Sequence, residues 1–180
     1  MTREDILDEA GTIIRDEGYE MLTISNLAEK LNVKKASLYY HFESKDMLIS
    51  ALYDYFNEKL AHRGFRIDFS LDSEEILSKT YEHWREIFLS DELSCGLSLV
   101  EQRKEVDERA YEIYNSLHLM LRSQSDAVME NLVSRNKFKK QDSALLGELF
   151  ASASFLRLTT EHSYEDDRAF ISAFTNLFAT

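Results

Sequence analysis

The chain has 180 residues, 44% of them hydrophobic, with a net charge of −12, one cysteine, five glycines and no proline. That apolar fraction is enough for a folded core, while a lone Cys95 excludes an internal disulfide. The shortage of Gly and Pro argues against a sandwich or barrel, which needs a turn about every eight to twelve residues. A charged start, Met1-Thr2-Arg3-Glu4-Asp5, predicts no secretory leader. No apolar run approaches the roughly 18 residues of a membrane span, so a cytoplasmic location with no membrane partner is expected. The acidic balance disfavours indiscriminate binding to nucleic acid, but a grip depends on local charge. Residues 31–45 carry Lys34, Lys35 and Lys45 against Glu43 alone.

Taken in chain order, Ile6, Leu7, Ala10, Ile13 and Ile14 recur at helical spacing. Gly18 suits the left-handed position after a helix end, and Tyr19, Met21 and Leu22 are expected to return the chain to the core. Thr23 is a good N-cap for a second helix burying Ile24, Leu27, Ala28 and Leu31. Asn32 tolerates a left-handed turn, and Val33 is placed to fill the corner. A short third helix then buries Leu38 and Phe42 and shows Lys35, Ser37, Tyr39, Tyr40 and His41. Two short helices about a tight turn, the second displaying donors and aromatics, follow the helix-turn-helix plan. Ser44 caps a longer helix whose buried stripe is Met47, Leu48, Leu52, Phe56 and Leu60, with Ile49 and Tyr53 alongside. Lys45 falls in its first turn, where the helix dipole disfavours a cation, and an outside anion such as a DNA phosphate would explain it.

Beyond residue 50, Phe65 to Asp72 read as a connection, and Asp72 or Ser73 caps a helix through Ile76, Leu77, Tyr81, Trp84 and Phe88. Asp91 and Glu92 are expected to break it, leaving Leu93 to Val100 as a short apolar segment. A long helix is predicted from Val106 through Ala110, Ile113, Leu117, Leu121, Ser125, Val128 and Leu132, ending near the polar Ser134–Gln141 stretch. Two last helices, 142–160 and 164–178, have more apolar surface than so small a body can hide. A two-fold partner is its natural outlet, giving a four-helix homodimer interface.

The segment Thr23 to Val33, followed by Ser37-Leu38-Tyr39-Tyr40-His41-Phe42-Glu43-Ser44-Lys45-Asp46-Met47-Leu48, resembles the TetR family of repressors. The resemblance covers about residues 5–50 and departs from the family at Asn32, where Gly is usual, and in an acidic first helix. It implies an all-α fold of about nine helices. A three-helix DNA-binding head occupies residues 1–46 and a ligand-binding and dimerisation body 47–180. Thr23 and Ser25 would meet phosphates, Lys35 and Ser37 base edges, and Tyr39 a thymine methyl or the backbone. Tyr40, His41 and Lys45 would hold phosphates, while Lys34 is ambiguous between a DNA contact and steering alone. The resemblance also implies a dimer through the last two helices and an unknown small-molecule effector. Tyr81, Trp84, Phe88, Tyr111, Tyr114 and Phe155 are the candidate lining, with His83, His118, Gln102 or Arg103 as polar anchors, though aromatics at helical spacing are more often core.

No catalytic Ser-His-Asp order, phosphate-cradling Gly loop or Cys-x-x-Cys pair occurs, so no enzyme, cofactor or metal site is expected. The alternative is a small-molecule-binding or protein-interaction module of the same fold that lacks specific DNA binding.

Overall fold

The computed structural model describes residues 1–139, 142–160 and 163–180. The described residues form nine α-helices and one isolated bridge, Phe138 to Ala179. In order the helices are α1 (Arg3–Glu17), α2 (Ile24–Lys30), α3 (Lys35–His41), α4 (Lys45–Ala61) and α5 (Ser73–Leu89). They continue as α6 (Asp91–Arg103), α7 (Glu108–Ser134), α8 (Ser143–Leu158) and α9 (Tyr164–Phe178). Lys140 and Gln141, the end of the polar stretch expected to close the long helix, lie outside the described residues.

Local chemistry sets most of the boundaries. Thr2 opens α1 with a capping box, and Gly18 closes it at φ 98°, a region that favours glycine. The Thr23 hydroxyl accepts from the Asn26 N–H at 3.0 Å, starting α2. Asn32, at φ 52°, then makes the turn into α3. Ser44 caps α4 by accepting from the Met47 N–H at 3.1 Å.

The chain divides into two compact units. The first joins residues 1–63 to 89–114, the second 64–88 to 115–180, so α7 contributes to both. In the first, α1 packs against α2, α4 and α6, and α2 against α3. Its core includes Ile6, Ile14, Leu22, Leu27, Leu38 and Phe42. In the second, Trp84 is fully buried and packs on Phe150, whose ring stacks on Phe170. The indole N–H donates to Gln124 at 2.6 Å. The Tyr81 hydroxyl donates to Asp167 at 2.7 Å, and Arg157 and Arg85 reach the same buried carboxylate at 3.2 and 3.6 Å. A buried carboxylate needs such compensation, and this one ties α5, α8 and α9 together. The Ser125 hydroxyl, the one polar member of the long stripe, donates to the Gly147 carbonyl at 2.9 Å.

Five local expectations are corrected. Asp91 and Glu92 do not merely end a helix; with Ser90 as N-cap they begin α6, where acidic side chains complement the helix dipole. The expected short apolar segment is therefore the middle of a 13-residue helix. Val106 is 70% exposed and lies before α7, which Asp107 starts by accepting from the Arg109 and Ala110 N–H groups. Met47 and Met21 are about half exposed: the buried stripe of α4 centres on Leu48, Leu52 and Phe56, and Leu22 alone plugs the core after α1.

Candidate nucleic-acid interface

Residues 23–45 present a continuous polar and aromatic face within the first unit. Leu38 and Phe42 are each 1% exposed and fix α3 to the core, which turns the rest of this seven-residue helix outward. Lys35, Ser37, Tyr39 and Tyr40 are exposed, as is Lys34 at the N-cap. Tyr40 is 87% exposed and meets the His41 ring edge-on, centroids 5.3 Å apart. An aromatic so exposed contributes little to the fold, which leaves its contact surface available to a partner. Thr23 and Ser25 are also exposed at the start of α2, next to its free N–H groups. Among the described residues, Lys34 and Lys35 form no ion pair, so their charge is directed to solvent.

Lys45 has a partner that the sequence did not suggest. Its ammonium lies 4.4 Å from the centre of the Tyr19 ring, and the Arg103 guanidinium lies 4.3 Å from the same ring. A tyrosine face attracts cations, so the ring supplies part of the stabilisation that the unfavourable helix position had assigned to an outside anion. Gln102 is likewise committed locally: its side chain accepts from the Tyr19 N–H at 2.8 Å and donates to the Ile14 carbonyl at 3.0 Å. Tyr19 and Gln102 thus hold the end of α1 against α6. Sequence reasoning missed the contact between them because the two residues lie 83 apart in the chain.

Glu17 clips α1 to α2. It pairs with Lys30 at 2.6 Å and accepts from the Asn26 amide at 3.2 Å. These contacts, Lys30 first, hold its carboxyl below the usual range. A depressed carboxylate stabilises the fold fully above its unfolded pKa, about 4.3, and loses that contribution as pH falls through the lower folded value. The stability gap between the native protein and Glu17→Gln should therefore be constant near neutrality and close as urea melts are moved from pH 5 toward pH 3.

Comparison with known proteins bears on this face directly. The sequence model for bacterial regulatory proteins of the tetR family matches residues 6–52, from α1 into α4. The biofilm operon icaADBC negative transcriptional regulator IcaR of Staphylococcus aureus is 25% identical over 90% of the chain and 87% of its own length. Residues 6–52 thus carry the sequence pattern of the tetR family, and the chain is similar to IcaR over most of its length. Solved structures agree on the fold. The TetR-family regulator PfmR of Thermus thermophilus superposes with a TM-score of 0.69 at 22% identity, covering 97% of this chain and 96% of that one. A protein from Saccharomonospora viridis crystallised with choline gives 0.69 at 20% identity, covering 99% and 97%.

The aromatics expected to line an effector pocket are distributed over both units of the chain. Tyr81, Trp84, Phe88 and Phe155 are buried in the second, where Phe88 and Phe155 meet edge-on at 5.7 Å. Tyr111, 56% exposed, and Tyr114, under the Lys104 ammonium at 4.2 Å, belong to the first. His118 lies against Phe155 with ring centroids 3.6 Å apart, and His83 against Phe65 at 5.4 Å. No helix among the described residues is long and apolar enough to cross a membrane. Burial pushes the Cys95 thiol up, away from the thiolate that redox sensing needs.

Proposed function

We propose that the protein is a sequence-specific repressor whose residues 1–46 read operator DNA and whose residues 47–180 dimerise and respond to a small molecule. The observation that carries the reading is the outward set on α3, Lys35, Ser37, Tyr39 and Tyr40, on a helix whose other side is anchored by Leu38 and Phe42. Lys35 is suited to guanine acceptors in the major groove. Thr23, Ser25, Tyr40, His41 and Lys45 take backbone phosphates, Tyr39 a thymine methyl or the backbone, and Lys34 steers. The negative regulation named for IcaR supports a repressor.

Dimerisation is proposed through α8 and α9. Leu145, Leu149 and Leu156 are 54%, 46% and 63% exposed and lie along one stripe of α8. Ala169, Ala173 and Leu177, four residues apart, are exposed on α9. Apolar stripes of this kind mark an interface, and the dimer would set two reading helices about one DNA turn, 34–36 Å, apart. Leu149→Arg should convert the dimer to monomer in sedimentation velocity, leaving helix content unchanged and removing tight operator binding.

The effector is proposed to act on Tyr81, Trp84, Phe88 and Phe155 of the second unit, by binding one spacing of the reading heads better than another. The protein of the same fold that was crystallised with choline supports a small-molecule response.

Titration against the DNA upstream of the protein's own gene, in rising salt with competitor, tests the reading. Saturable, competitor-resistant binding with a clear salt slope is expected. Binding no tighter than to random DNA, both there and after selection from random sequences, overturns it.

A further inference from the structure

Away from the reading face, the first unit holds a cleft of about 570 Å³ walled by α1, α4 and α6, within the size range of small-molecule sites. Loose packing does not account for it, because the helices beside it are as close as backbones allow. A Cβ on Gly11 would fall 2.8 Å from that of Cys95, and one on Gly96 would fall 2.1 Å from the Phe56 ring. The floor is apolar: Leu7, Leu52, Phe56 and Leu99, all buried.

The rim carries Asp8, Asp91 and Glu92 against Arg15 and Lys59. Both cations are already answered. Arg15 pairs with Asp16 at 2.7 Å, and Lys59 with Glu92 at 2.9 Å, where Arg63 also arrives at 2.6 Å. The Asp8 carboxylate accepts from the Tyr55 hydroxyl at 2.9 Å and pairs with no cation among the described residues. Asp91 has Arg15 no nearer than 3.8 Å. The unanswered charge at the mouth of an apolar cleft is therefore negative.

We infer that this cleft binds a lipophilic organic cation, with its apolar body on Leu7, Leu52, Phe56 and Leu99 and its charge met by Asp8 and Asp91. An anion of the same shape would face Asp8, which no cation among the described residues answers, and Asp91, met by Arg15 only at 3.8 Å, and the lining cations Arg15 and Lys59 would have to abandon their closer pairs. The site is separate from the aromatic set of the second unit. It lies where the reading head is built, since α1 packs on α2 and α4 directly follows α3.

Two intrinsic reporters make the test specific. Cys95, the sole cysteine, lines the cleft, and Trp84, the sole tryptophan, lies in the second unit. Tetraphenylphosphonium and tetraphenylborate share a shape and differ in the sign of their charge. On the full-length protein, the cation should slow alkylation of Cys95 by iodoacetamide about tenfold at saturation and leave Trp84 emission unchanged, while the borate leaves the rate within about twofold. Asp8→Asn should raise the half-protecting concentration of the cation about tenfold, the worth of one charge-assisted contact. Absence of protection, equal protection by the borate, or protection indifferent to Asp8→Asn in a normally melting variant overturns the inference. A shift in Trp84 emission without protection of Cys95 also overturns it, and places the cation instead in the second unit, as the effector reading has it. The comparison of cation with borate needs no variant, so the test survives a misfolded Asp8→Asn.

Discussion

Tyr40→Ala is expected to lower operator affinity about 10- to 100-fold, close to the worth of one good contact to DNA, with the melting temperature unchanged. The two halves of that expectation have separate origins. At 87% exposure the ring buries almost nothing in the free protein beyond its edge-on contact with His41, so its loss costs the fold little. If α3 reads DNA as proposed, loss of the ring would remove contact area and a phosphate hydrogen bond together. Lys35→Ala should behave differently from Lys34→Ala. The first should lose about 1–3 kcal/mol at one base position and relax specificity there, while the second should weaken all sequences alike and reduce the salt slope by about one. Mobility-shift titrations on the selected operator and on a single-base variant series separate these outcomes. If Tyr40→Ala and Lys35→Ala both bind as the native protein does, α3 is not the reading helix.

Much of the reading head was legible because its signals are local. Thr23, Asn32 and Ser44 mark boundaries through bonds that span three or four residues, and the spacing of Leu38 and Phe42 settles which side of α3 is buried. The start of α6 is obscured for a reason that is also local: Asp91 and Glu92 read as breakers, although after Ser90 the same acids suit a first turn. What stayed hidden depends on contacts distant in sequence. Tyr19 reads as one more apolar residue until Lys45 and Arg103 are both found on its ring. Asp167 reads as part of an acidic helix start until Tyr81, Arg85 and Arg157 converge on it. The cleft is equally invisible in the sequence, since it is formed by three helices whose residues are otherwise ordinary.

Gly96→Val should be the most damaging small substitution in the first unit. A Cβ there would lie 2.1 Å from Cδ2, 2.4 Å from Cγ and 2.8 Å from Cβ of Phe56. Rotating the ring relieves the first two contacts and cannot relieve the third, because the Phe56 Cβ is fixed to the α4 backbone. The helices α4 and α6 must therefore separate, in a core where Leu52, Phe56 and Leu99 are all buried. Overpacking of this kind costs about 1–3 kcal/mol, and two further methyl groups push valine to the upper end. For a chain of this size that lowers the melting temperature by roughly 4–12 °C, measurable by circular dichroism. Because only three residues separate α3 from α4, operator affinity should also fall at temperatures well below the melt. Phe56→Ala alone should cost about 3–5 kcal/mol by leaving a cavity. Combined with Gly96→Val, the two should be less harmful than their sum by more than about 1 kcal/mol, since each vacates what the other needs. Strict additivity would mean that the two residues do not share one contact, and that some other packing fixes the spacing of α4 and α6.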